Sequence, residues 1–117
     1  MKFLSNLFVF LFLLNLAGCR STPAFNFGVY SQAERFYEKK QYSKAIAKYE
    51  EYVRENPDGN LAAISYYYTA KSYEGLGERE KAREIYQKIA KEYPNVVWAD
   101  FATARLKELG SSLDKAV

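Results

Sequence analysis

The sequence is short of the residues that most chemistry needs. It has no histidine, one cysteine, one tryptophan and three prolines in 117 residues. Without histidine there is no imidazole to act as a base near neutral pH or as a metal ligand. A single cysteine cannot close an internal disulfide, so no covalent cross-link holds the fold together. The formal charge of +3 is too small to point to a nucleic-acid partner. Acidic residues are dispersed without the grouping of a carboxylate or metal site, so no catalytic residue, metal or small-molecule substrate is expected. No window alternates polar and apolar residues at period two, which leaves no candidate strand.

What is present starts with an address. Lys2 precedes the unbroken apolar run Leu7 to Leu14, and the small-residue segment Leu16-Ala17-Gly18 leads into Cys19. A positive residue, an apolar core and a small-residue end, in that order, make residues 1–18 a secretory signal peptide. The core is too short for a spanning helix, which needs ~20 residues, and Asn6 and Asn15 bracket it. The remainder is sized for one domain.

Leu16-Ala17-Gly18-Cys19 resembles the bacterial lipobox. The resemblance implies cleavage between Gly18 and Cys19, a diacylglyceryl group on the Cys19 sulfur and acylation of the new amino terminus. The thiol is the nucleophile that takes the lipid, and small neighbours let the backbone enter the processing site. The same run would otherwise be an ordinary cleaved signal peptide or an uncleaved anchor. Each buried methylene contributes ~0.8 kcal/mol, so two or three acyl chains hold a protein firmly to a membrane. Beyond this covalent lipid no cofactor is expected. In Gram-negative lipoproteins an aspartate after the cysteine favours inner-membrane retention. Arg20 stands there instead, so the resemblance implies the outer membrane, with the domain facing the periplasm. Residues 19–26 read as a short tether, in which Pro23 disfavours helix at Thr22.

From Phe27 the periodicity is helical. A first helix over about Phe27 to Lys40 carries Ala33, Phe36 and Tyr37 on one face. A second starts at Tyr42, carries Ala45, Ile46, Tyr49, Tyr52 and Val53, and ends before Pro57. A third runs from Leu61 to Leu76 with Ala62, Tyr66, Ala70 and Tyr73 on one face. A fourth, Glu78 to Tyr93, carries Ala82, Ile85, Tyr86 and Ile89 and stops at Pro94. A fifth, Val97 to Leu109, carries Phe101, Ala104 and Leu106, and Gly110-Ser111-Ser112 ends it. Residues 110–117 then form a frayed tail. Glu50 with Arg54, and Glu84 with Lys88, are placed to pair along their helices.

The halves repeat. Ala33 to Ala70, Phe36 to Tyr73, Ala45 to Ala82, Tyr49 to Tyr86 and Pro57 to Pro94 all step by 37 residues. Five matched positions at one period are an internal repeat. Their residue types resemble the tetratricopeptide repeat, which pairs a small residue and an aromatic in helix A with alanine, an aromatic and a closing proline in helix B. The resemblance implies an all-α stack of helical hairpins over residues 27–109, about two and a half repeats in five helices. The period is 37 rather than the family's common 34, and Lys40 stands at the usual interhelix glycine of the first copy, where the second has Gly77.

Tetratricopeptide stacks bind with the concave face made by their A helices. By position that face implies Tyr30, Glu34, Tyr37 and Glu38 in the first copy, and Tyr67, Lys71 and Glu74 in the second. Aromatics mixed with both charge signs suit an extended peptide or a loop of a protein partner. The other reading is an ordinary solvated face. In the Tyr66-Tyr67-Tyr68 run, three successive helix positions cannot all enter one core, so at least one is exposed or covered by a partner. Trp98 either closes the end of the stack or stands as an exposed anchor.

The combined features resemble an outer-membrane assembly lipoprotein of the BamD type, in a much shorter form. The implied function is a membrane-anchored periplasmic scaffold that binds a protein partner in the cell envelope. The alternatives are a cell-envelope division coordinator and a type IV pilus pilotin-like lipoprotein, with an envelope enzyme last.

Overall fold

A computed structural model describes residues 27–114. Five helices follow one another: α1 (Phe27–Glu38), α2 (Tyr42–Glu55), α3 (Ala62–Gly75), α4 (Arg79–Glu92) and α5 (Val97–Asp114). Among the described residues there is no strand. Each helix packs against the next in the chain, and α3 also touches both α1 and α5. The result is a tetratricopeptide-like stack: hairpin α1–α2, hairpin α3–α4, then α5 as a half repeat.

The 37-residue step recurs in the backbone hydrogen bonds. Gln41 N donates to Phe36 O at 2.8 Å and Lys40 N to Tyr37 O at 2.9 Å. Thirty-seven residues on, Glu78 N donates to Tyr73 O and Gly77 N to Glu74 O, both at 2.9 Å. This pair of bonds is the Schellman closure of a helix C-terminus, and it requires a left-handed residue. Lys40 (φ 58°) and Gly77 (φ 77°) are those residues. The matched carbonyls Tyr52 and Ile89 accept from Asn56 and Tyr93, just ahead of the two prolines. Gly59 N to Asn56 O and Ala62 N to Gly59 O are repeated as Val96 N to Tyr93 O and Ala99 N to Val96 O.

The core forms two clusters. Tyr30, Ala33, Ala45, Tyr49, Tyr52 and Val53 are buried in the first hairpin. Ala70, Ala82, Tyr86, Ile89, Ala99, Ala102 and Leu109 are buried between the second hairpin and α5. Tyr66 packs against both. Helix α3 lies between α2 and α4, so it is buried on two sides rather than on the single face expected. Ser65, Thr69 and Ser72 form its second buried stripe. Their hydroxyls donate back to the carbonyls of Leu61, Ser65 and Tyr68 at 2.7–2.8 Å. Such bonds let small polar residues line a close helix contact without leaving an unpaired group.

Helix α5 departs from expectation twice. It does not end at Gly110 but continues to Asp114. Its buried face is also different: Ala99, Ala102 and Leu109 are buried, whereas Phe101 and Ala104 are exposed. The same 37-residue step explains this. Ala99, Ala102 and Leu109 match Ala62, Ser65 and Ser72 of α3, the stripe laid against a preceding hairpin. Ala70 and Tyr73, the α3 residues packed in the cluster with α4, and the buried Ala63 are matched in α5 by Lys107, Gly110 and Asp100. That side of α5 therefore carries charged residues and a glycine where α3 carries apolar ones. Pairing on the helix surfaces also differs: Lys88 reaches Glu92 at 3.7 Å and lies over the Tyr66 ring, 4.8 Å from its centroid.

Candidate protein-binding groove

The face shared by α1, α3 and α5 carries a continuous row of rings. Tyr37 of α1 meets Tyr68 of α3 edge-on at 4.9 Å between centroids. Tyr68 meets Tyr67 at 5.6 Å. Tyr67 meets Trp98 of α5 at 5.2 Å, and Trp98 meets Phe101 at 5.4 Å. Four of these five side chains are half-buried, and Phe101 is 46% exposed. Edge and tilted contacts suit the ring quadrupole and fix each ring against its neighbours. The row therefore offers a stiff apolar surface that needs little ordering when something binds.

The tyrosine run divides its labour. Tyr66 turns to Tyr93 on the other side, 6.1 Å away. Tyr68 faces the first hairpin, where it also stacks on Tyr49 at 6.0 Å. Tyr67 faces the second, 5.6 Å from Tyr86.

Charges sit at the two ends of the row. On α1, Glu34 and Glu38 are exposed, and with Tyr37, Tyr49 and Tyr68 they line an open pocket of about 170 Å³. Among the described residues neither carboxylate is in an ion pair. Burial, and after it the nearby Glu34 carboxylate, push the Tyr30 hydroxyl well above its ordinary range. At the α5 end, Glu74 is committed internally. It accepts from the Tyr86 hydroxyl at 2.5 Å and is bridged to Arg105, which also holds Glu108. Burial works to raise the Glu74 carboxyl, but hydrogen bonds from Arg105 and Tyr86 and the guanidinium charge outweigh it and hold the group below its ordinary range. The bond to Glu74 raises Arg105 in return. Burial, reinforced by Glu74, keeps the Tyr86 hydroxyl protonated.

The residues expected on this face are thus brought together unequally. Tyr37, Tyr67, Lys71 and Glu74 are half-buried along it, and Glu34 and Glu38 border it. Tyr30 is different: it is only 6% exposed, held edge-on by Tyr49 and Tyr52 at 5.8 and 5.6 Å. Its side chain belongs to the core of the first hairpin. Gly18 and Cys19 lie outside the described residues.

Sequence reasoning did not place Tyr68, Phe101, Arg105 or Glu108 on this face. Repeat register held a signal for one of them, because Glu108 lies 37 residues after Lys71. Among the described residues no group of three or more histidine, cysteine or acidic side chains could hold a metal ion, and no helix is long and apolar enough to cross a membrane.

Residues 65–95 match the family model of the tetratricopeptide repeat. The match falls on the second hairpin, where Gly77 occupies the left-handed turn position. No curated protein matches the chain.

Proposed function

We propose that this chain is a protein-binding scaffold held at a membrane surface, and that the face of α1, α3 and α5 is its binding groove. The unbroken aromatic row from Tyr37 to Phe101 carries this reading. Most of an interface's energy comes from a few rigid aromatic anchors. A core has no need to leave Phe101 nearly half in water beside Trp98. The tetratricopeptide match to the second hairpin supports the same reading, because stacked hairpins of this kind commonly serve as peptide-binding surfaces.

The lipobox-like segment Leu16-Ala17-Gly18-Cys19 supports a lipid anchor on Cys19. With Arg20 next to it, the favoured site is the periplasmic face of an outer membrane. There the scaffold's partner is a protein of the cell envelope, and assembly of outer-membrane proteins is the favoured task.

A photo-crosslinking residue placed at Phe101 in the full-length protein, activated in intact cells, tests both parts. Crosslinks to the β-barrel assembly machinery support the assembly role. Crosslinks to division proteins or a pilus secretin would replace that role while keeping the groove. An absence of crosslinks from Phe101, with abundant ones from a position on the α2–α4 side, would overturn the groove.

A further inference from the structure

The two ends of the groove differ in one chemical respect. At the α5 end every carboxylate of the groove has a cation: Glu74 and Glu108 share Arg105. At the α1 end Glu34 and Glu38 have none among the described residues, although both border the pocket walled by the rings of Tyr37, Tyr49 and Tyr68. Tyr49 is 1% exposed and its hydroxyl is held protonated by burial. It therefore adds a neutral ring wall and no charge. The pocket is open to solvent and about 170 Å³ in volume, room for one long side chain but not for a folded element.

A site that joins π faces to unpaired carboxylates has one complementary occupant, a cation with an apolar shaft. We infer that the Tyr37–Tyr49–Tyr68 pocket receives an arginine side chain from the bound protein, with Glu34 and Glu38 as its counter-charges. Guanidinium fits better than the alternatives. Its planar N–H fork can donate to two carboxylates and lie against tyrosine at the same time. A quaternary ammonium has the charge but no N–H to donate. An ammonium is a compact, strongly hydrated point charge that stacks less well. The occupant also sets direction: a peptide on the groove places its arginine over α1 and its apolar residues over Trp98 and Phe101. This assignment rests on the groove reading above and gives one end of it a chemical identity.

The test is an amide NMR titration of the full-length protein in detergent micelles with three probes: N-acetylarginine amide, its citrulline counterpart and choline. The arginine probe should shift the resonances of Glu34, Tyr37, Glu38 and Tyr68 saturably. The citrulline probe, which has the same shape without the charge, should bind about tenfold more weakly or not at all. The doubly substituted Glu34→Gln, Glu38→Gln protein should lose the arginine response by a similar factor while keeping its melting temperature. Equal binding of citrulline, equal binding of choline, or an arginine response unchanged in the double variant would each overturn the assignment. So would no response at these residues.

The groove reading is judged separately, by peptides selected from a random display library on the same protein. Peptides that perturb Trp98 and Phe101 but carry no required arginine would leave the groove standing and remove only its cation pocket. If no selected peptide perturbs Trp98 or Phe101, the groove itself fails, and the arginine assignment, which rests on it, falls with it.

Discussion

Lys40 shows how much a single residue can owe to its place in a repeat. It holds φ at 58°, a left-handed conformation that a side chain disfavours and glycine adopts freely. Its counterpart Gly77 does the same job at φ 77° with no cost. Lys40→Gly should therefore stabilise the domain by about 0.5–1 kcal/mol, and Gly77→Ala should destabilise it by about 1 kcal/mol, read from urea midpoints. The position was legible in the sequence because the copies align; the cost of filling it with lysine is a matter of backbone angle. Glu74 supplies a second test at this scale. Its carboxyl is held below the ordinary range by Arg105 and Tyr86 against the pull of burial. A lowered folded-state value means that the unfolded chain binds the proton more readily. The contribution is complete above the ordinary carboxylate range and is lost as pH falls through the lower, folded value. The melting-temperature gap between wild type and Glu74→Gln should thus be widest near neutral pH and close in acid. A gap that does not change with pH would contradict a stabilising role for the ionised Glu74 carboxylate. No local pattern announced the Glu74–Arg105–Tyr86 cluster, because its members are 12 and 31 residues apart in sequence.

Among the elements, α1 to α4 were readable because each carries a one-sided apolar stripe or a stop signal that the neighbouring hairpin also uses. Pro57 and Pro94 end two helices, and the Schellman closures end two more. Helix α3 was readable in extent but not in its faces, since a helix packed on two sides shows no single stripe. Small residues such as Ser65 and Ser72 gave no hint that they were buried. Helix α5 was misjudged because Gly110 resembled a stop. A glycine ends a helix by turning left-handed, whereas Gly110 stays helical, and nothing lies within 4 Å of the place a Cβ would occupy. Gly110→Ala should therefore stabilise α5 by about 0.5–1 kcal/mol. Gly75 is the opposite case. At the end of α3 a Cβ would run into the ring of Tyr42 at the start of α2. Gly75→Ala should cost about 1–3 kcal/mol through overpacking between the hairpins. Equal responses at Gly75 and Gly110, measured side by side in thermal melts, would contradict this packing.

At the scale of the whole molecule, helical periodicity and the resemblance of the 37-residue repeat to the tetratricopeptide pattern together implied the all-α stack, and the same resemblance implied which α1 and α3 residues share a face. The α5 side of that face was not legible. Whether Trp98 and Phe101 joined it depended on how α5 is rotated, and that is set by Ala99, Ala102 and Leu109 docking beneath them. Tyr30 was assigned to the face but went to the core, because α1 must bury a large ring against Tyr49 and Tyr52 to close the first hairpin. The proposed anchor makes a separate prediction: Cys19→Ser should move the protein from the membrane to the soluble fraction or leave it unprocessed, and membrane extraction that still requires detergent after normal processing would contradict a lipid on Cys19.

The groove is tested most directly by measuring peptide affinity at its exposed end. Among the described rings Phe101 touches only Trp98 and Tyr67, at 5.4 and 6.2 Å, and it is 46% exposed, so its removal should leave the melting temperature nearly unchanged. Binding of a library-selected peptide, followed by Trp98 fluorescence, should weaken about tenfold in Phe101→Ala, equivalent to about 1.4 kcal/mol. Undiminished affinity in a correctly folded Phe101→Ala protein would contradict the assignment of this face as the binding surface.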